Sequence, residues 1–148
     1  MKNKGKKILS IMLAWMLLVS VQSISVQAAN YTSRSLVKLN AVYTGYTATS
    51  NTSTVTVGST TSTKNAKITS IVITSTKSTS SVGTLTLHVK NNTTGYSDSM
   101  PWEKSVTFTG LNGSCPVGSY SIYFTGYNST GGVGAATLSA GTIKIYYK

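Results

Sequence analysis

The residue types that usually carry chemistry are scarce in this chain. Its carboxylates are Asp98 and Glu103, its single histidine is His88 and its single cysteine is Cys115. A carboxylate pair for glycoside hydrolysis would have to be Asp98 and Glu103, which flank Ser-Met-Pro-Trp in a segment that reads as a loop. Their expected role is local pairing with lysines such as Lys104. A zinc centre of the common histidine and cysteine kinds would lack ligands. A Cys115, His88 and Asp98 triad can be written down, but Cys115 sits in the turn Gly-Ser-Cys-Pro-Val-Gly, and nothing in the spacing brings the three together. No catalytic residue, metal site or cofactor is expected, and the chain does not read as an enzyme.

The residues suited to binding are aromatic. In Tyr-Ser-Ile-Tyr-Phe-Thr-Gly-Tyr, the side chains of Tyr123 and Tyr127 fall on the Ser/Thr side of a strand whose other side carries Ile122 and Phe124. Rings placed this way can stack on sugars, with Asn128 and neighbouring hydroxyls supplying hydrogen bonds. Tyr146 beside Lys144 extends this expected set, as does Trp102, which the sequence allows either as a loop plug or as an exposed platform.

A period of two positions these residues. Leu85, Leu87 and Val89 alternate with Thr84, Thr86 and His88; Val106 and Phe108 alternate with Ser105 and Thr107; Ile143, Ile145 and Tyr147 oppose Lys144 and Tyr146. Ile68 to Thr74 reads as a strand with apolar residues on both faces. Further strands are expected over Ser35 to Thr47, Ser53 to Val57 and Val133 to Leu138, which makes about eight, separated by Gly/Asn/Ser-rich turns. No segment after residue 28 holds a helical spacing. The expected fold is all-β, a single two-sheet antiparallel sandwich of jelly-roll or immunoglobulin-like type over residues 29–148.

Composition agrees but sits near a border. Ser and Thr fill 43 of the 120 positions after Ala28, while Leu, Ile, Val and Phe fill 24, few enough that periodicity has to decide for order over disorder. Thr is β-branched and covers the solvent side of a sheet without charge. Hydroxyls stand where Lys and Glu usually do.

Residues 1–28 read as a secretory signal. Lys2, Lys4, Lys6 and Lys7 precede an apolar run from Ile8 to Val21, and Val26-Gln27-Ala28 offers a cleavage site after Ala28. The run is shorter than the roughly 20 residues of a membrane span. An exported domain with one thiol forms no internal disulfide, and the lysine-rich signal together with cysteine avoidance suits a Gram-positive source. The expected location is the medium or the cell wall.

After cleavage, nine basic residues face two carboxylates, for a net charge of +7. Such a domain is drawn to anionic wall polymers by a salt-sensitive attraction. Its bases are scattered along the sequence without a nucleic-acid-reading motif, so nucleic acid is not an expected partner. The reading is a non-enzymatic extracellular module that binds wall or matrix polysaccharide, or another surface protein. The alternative is a membrane-active, pore-forming protein whose stem would be Ser53 to Thr63, a segment readable as a fixed polar hairpin or as one that changes conformation. Val55 and Val57 are the only strongly apolar residues of that stem, too few for a lipid-facing band.

Overall fold

Once strands with alternating side chains pair, each sheet has one face that must leave water. The computed structural model describes residues 29–148; the expected signal and its cleavage site lie outside the described residues. Eleven strands follow in chain order: β1 (Asn30–Ser35), β2 (Leu39–Thr44), β3 (Thr47–Thr49), β4 (Ser53–Val57), β5 (Ile68–Thr74), β6 (Thr84–Asn91), β7 (Ser97–Pro101), β8 (Ser105–Phe108), β9 (Gly118–Tyr127), β10 (Val133–Leu138) and β11 (Thr142–Tyr147). There is no helix among the described residues, and every pairing is antiparallel.

One sheet has the order β1-β11-β5-β8. A five-stranded sheet has the order β3-β9-β6-β7, with β4 also pairing β9, and β2 and β10 form a separate two-stranded ribbon. Ile71, Ile73, Phe108, Ile143 and Ile145 of the first sheet and Leu87, Val89, Tyr120, Ile122 and Phe124 of the second meet in one buried cluster, as in a sandwich. Each such side chain contributes about 1.5–3 kcal/mol by leaving water.

The structure divides the strand expected over Ser35 to Thr47. Between β1 and β2, the Val37 amide donates to Ser53 Oγ at 3.1 Å. Asn51 accepts from Asn40 N at 2.6 Å and donates to Lys38 O at 3.0 Å. These side chains satisfy the backbone where the ladder stops. β1 and β7 carry no apolar alternation, and β7 lies in a segment that reads as a loop. They are strands because a neighbour pairs with them: β1 is matched to β11 from Asn30↔Tyr147 to Ser35↔Thr142, and β7 to β6 from Lys90↔Ser97 to Thr86↔Pro101. Both lie at sheet edges, where a polar strand and a terminal proline are tolerated.

The β2–β10 ribbon packs closely on the five-stranded sheet at Gly126. Gly126 faces inward on β9, and a Cβ there would collide with the hydroxyl of fully buried Tyr43 and come within 2.7 Å of its Cζ. The missing side chain makes the slot into which Tyr43 fits, and the Tyr43 hydroxyl reaches Val82 O at 3.4 Å. At the other end of β9, buried Tyr120 donates its hydroxyl to Pro116 O at 2.7 Å, tying the strand to the turn that leads into it. Burial pushes this phenol up to about 12.

Gly126→Ala is expected to destabilise the domain by about 2 kcal/mol through overpacking. Adding Tyr43→Phe should recover part of that loss, read as a non-additive double-mutant cycle in urea unfolding. For Tyr120, the folded state keeps the proton at a pH where the unfolded chain releases it. Its contribution is therefore full below pH 10, the ordinary tyrosine value, and is lost as pH rises toward about 12. Tyr120→Phe should cost about 1–3 kcal/mol at neutral pH by stranding the Pro116 carbonyl. The same substitution should flatten the alkaline decline, and the remaining slope belongs to buried Tyr43, whose phenol is also raised.

Candidate functional site

The alternation that sends Tyr120, Ile122, Phe124 and Gly126 inward sends Ser119, Ser121, Tyr123, Thr125 and Tyr127 outward along β9. Register then sets their neighbours on the outer surface. Thr47, Tyr127 and Thr84 form one cross-strand row over β3, β9 and β6, and Thr49, Thr125 and Thr86 form the next. Tyr123 stands opposite His88, which stands opposite Ser99 of β7; Ser121 stands opposite Lys90, followed by Ser97. The result is a sheet face of hydroxyls broken by two tyrosines, one imidazole and one ammonium.

Two depressions lie on this face. One, of about 260 Å3, is lined by Thr47, Thr49, Thr84, Thr86, Thr125 and Tyr127. The other, of about 500 Å3, is lined by His88, Lys90, Ser97, Asp98, Ser99 and Tyr123 among others. The Tyr127 ring is 52% exposed, so it is open to a ligand. Tyr123 is half-buried, stacks on His88 with centroids 4.7 Å apart and planes 7° from parallel, and lines the larger depression. His88 Nε2 lies 2.8 Å from Thr125 Oγ1, so the imidazole joins the two depressions. His88 is a partly buried member of the site, and burial holds it below its ordinary pKa.

The other expected site residues lie elsewhere. Asn128 is buried in the turn after β9, where its Oδ1 accepts from Thr130 Oγ1 at 2.8 Å and its Nδ2 donates to Gly131 O at 3.0 Å, so its amide caps a turn and does not reach the face. Trp102 is a plug: its indole packs against the core and donates from Nε1 to Ser75 Oγ at 3.0 Å. Tyr146 is on β11, in the other sheet, facing away from Tyr123 and Tyr127. Asp98 does not serve as a lysine partner. Its Oδ2 accepts from the amides of Thr109 and Gly110 at 3.2 and 2.8 Å, and its Oδ1 from that of Ser99 at 2.8 Å, clamping β7 to the end of β8. Cys115 is half-buried in the turn before β9 and lines neither depression. Among the described residues no three His, Cys, Asp or Glu side chains group as for a metal. Ser53 to Val57 of the expected stem is β4, paired to β9 with Val55 and Val57 buried.

The sequence does not mark His88 and Thr125 as partners; they meet because Leu87↔Phe124 fixes the register of β6 on β9. An outward His four residues from Thr84 on a polar strand face was the available signal, and it pointed only to exposure.

Because His88 is held below its ordinary value by burial, the unfolded chain takes up a proton near pH 6.5 before the folded one does. The stabilisation is therefore full above that pH and is lost as pH falls through the folded-state value. Urea midpoints followed downward from about pH 8 should show this decline above the carboxylate range, and His88→Gln should remove it.

No protein-family model and no curated protein matches this chain. Among solved structures, a crystal structure of FLHE superposes with a TM-score of 0.52 at 15% sequence identity, covering 82% of this chain and 96% of that one. At that identity the likeness concerns the fold alone.

Proposed function

We propose that this protein is a secreted, non-enzymatic single-domain module that binds polysaccharide of the cell wall or extracellular matrix through the outer face of its five-stranded sheet. The observation that carries this reading is the pair of adjoining depressions, where exposed Tyr127 and half-buried Tyr123 are framed by Thr and Ser hydroxyls. Aromatic faces supply apolar contact to a pyranose ring, and hydroxyls on either side answer its own hydroxyls. Tyr123 and Tyr127 are four residues apart on one strand, about 13 Å, so a linear glycan would lie along β9 over several units.

The finer fold reading is a jelly roll. With β2, β3 and β10 set aside as an added ribbon and a short edge, the remaining eight strands run 1-8-3-6 in one sheet and 2-7-4-5 in the other. That order supports the two interlocked Greek keys of a jelly roll over the immunoglobulin arrangement. Export rests on the signal-like residues 1–28.

Fractionation of a producing culture should find the protein in the wall or the medium. Purified protein should be retained on insoluble cell-wall polysaccharide at moderate salt, and the Tyr123→Ala/Tyr127→Ala variant should bind about tenfold or more weakly with an unchanged unfolding transition. Equal retention of a folded double variant, or dye release from lipid vesicles at low protein concentration, would overturn the reading, the latter in favour of a membrane-active protein.

A further inference from the structure

The outer surface of the other sheet has a different chemistry. Tyr31 of β1 stands opposite Tyr146 of β11, with ring centroids 5.5 Å apart and planes at 42°. In the next row Ser33 stands opposite Lys144, whose Nζ lies 5.3 Å above the centre of the Tyr31 ring. On the other side of the tyrosines the ladder continues past β5 and β11: Lys67 and Lys148 exchange backbone hydrogen bonds of 2.8 and 3.1 Å, and both side chains are exposed. Alternation puts Lys144, Tyr146 and Lys148 on one face, so two tyrosines lie between lysines on a continuous surface.

No side-chain carboxylate offsets these charges locally. The chain has only two, Asp98 and Glu103. Asp98 belongs to β7 in the opposite sheet, where it accepts from three backbone amides. Glu103 lies between β7 and β8, and β8 is the edge strand farthest from β1.

We infer that this surface, Tyr31, Tyr146, Lys67 and Lys144 with Lys148, is a second binding face whose ligand is an acidic polysaccharide. The surface complements such a ligand in two ways at once. The lysines are point charges suited to carboxylates at varied orientation, with no guanidinium fork among them to demand a planar bidentate partner. The tyrosines, of which Tyr31 is 53% exposed, offer ring area that only a ligand with rings of its own can use. The contact of Lys144 with Tyr31 holds an ammonium and a ring in a fixed relation before binding, which lowers the ordering cost. Aliphatic side chains that would enter lipid are lacking: Val72, the central apolar residue of the face, is half-buried. The inference does not depend on the reading of Tyr123 and Tyr127, which sit on the opposite sheet.

The test uses the full secreted chain and four probes: polygalacturonate, uncharged dextran, inorganic polyphosphate and vesicles containing phosphatidylglycerol. Polygalacturonate should be bound at low salt, with the logarithm of affinity falling linearly with the logarithm of salt concentration, while dextran should not be bound at this face. Lys67→Gln/Lys144→Gln should weaken polygalacturonate binding tenfold or more. Tyr31→Ala should weaken it at least threefold but leave polyphosphate binding unchanged, and the Tyr123→Ala/Tyr127→Ala variant should bind polygalacturonate like the parent. Each variant is compared by its unfolding transition, and the exposed Tyr31 and Lys67 provide substitutions that do not touch the core. Absence of polygalacturonate binding overturns the inference, as does binding by folded variants that equals the parent's. Polyphosphate bound as tightly as polygalacturonate and insensitive to Tyr31 would show a bare electrostatic surface, and a preference for vesicles would show a membrane surface; either result also overturns it.

Discussion

The strict alternation of β9 serves two solvents with one strand, and most of the structure depends on it. Its inward residues Tyr120, Ile122 and Phe124 are fully buried, and its outward residues Tyr123, Thr125 and Tyr127 make the middle of the candidate site. β9 also pairs with β3, β4 and β6, so its register sets three neighbours at once. A slip of one residue would bring Tyr123 and Thr125 into the core and expose Ile122 and Phe124. The Tyr120 hydroxyl on Pro116 and the slot at Gly126 fix the two ends of the strand against such a slip.

Hydroxyls take over work that charges perform in most domains. On the outer faces they keep the sheets wet without salt bridges. Inside, they complete backbone hydrogen bonding where strands break: buried Ser50 accepts from the Phe124 amide at 2.9 Å, Ser114 donates to Leu111 O at 2.7 Å, and Thr63 donates to Gly58 O at 3.0 Å. Each stands in for a ladder bond that would otherwise be missing, and a buried group left unpaired costs about 1–3 kcal/mol. Asp98 does the same at greater strength between β7 and β8, because a charged acceptor binds amides more tightly than a neutral one. The chain's few ionic groups are thereby left for structural clamps and for surface.

The two outer faces divide that surface by character. The face of β3, β4, β9, β6 and β7 is mostly neutral hydroxyl with tyrosines that can stack; the face of β1, β11 and β5 sets tyrosines among ammonium groups. If both proposed faces bind as argued, the module would hold two different polymers at once, and such bivalency would raise retention without a new contact. Arg34, on the inward side of the edge strand β1, reaches Thr56 O at 3.3 Å and places a charge at the open edge of the sandwich, which discourages strand addition there.

The period of two was legible in the sequence wherever a strand buries one face. Leu85, Leu87 and Val89, Val106 and Phe108, and Ile143 and Ile145 are inward as the alternation requires, because burial of apolar area is a property of each segment itself. Tyr123 and Tyr127 were readable as outward for the same reason. Three edge strands were not: β1, β3 and β7 are polar segments whose extended form comes from a partner far along the chain, as when Asn30 pairs with Tyr147. Nor could the sequence tell which sheet a strand joins, so it grouped Tyr146 with Tyr123 although pairing puts them on opposite sides. The roles of Trp102 and Asn128 depended on side-chain partners, Ser75 across 27 residues in the first case and a local turn geometry in the second. What the sequence by itself determined was which side of each apolar strand faces water; what only the tertiary structure decided was which of those wet sides lie together, because that follows from long-range pairing and register, which no local pattern encodes.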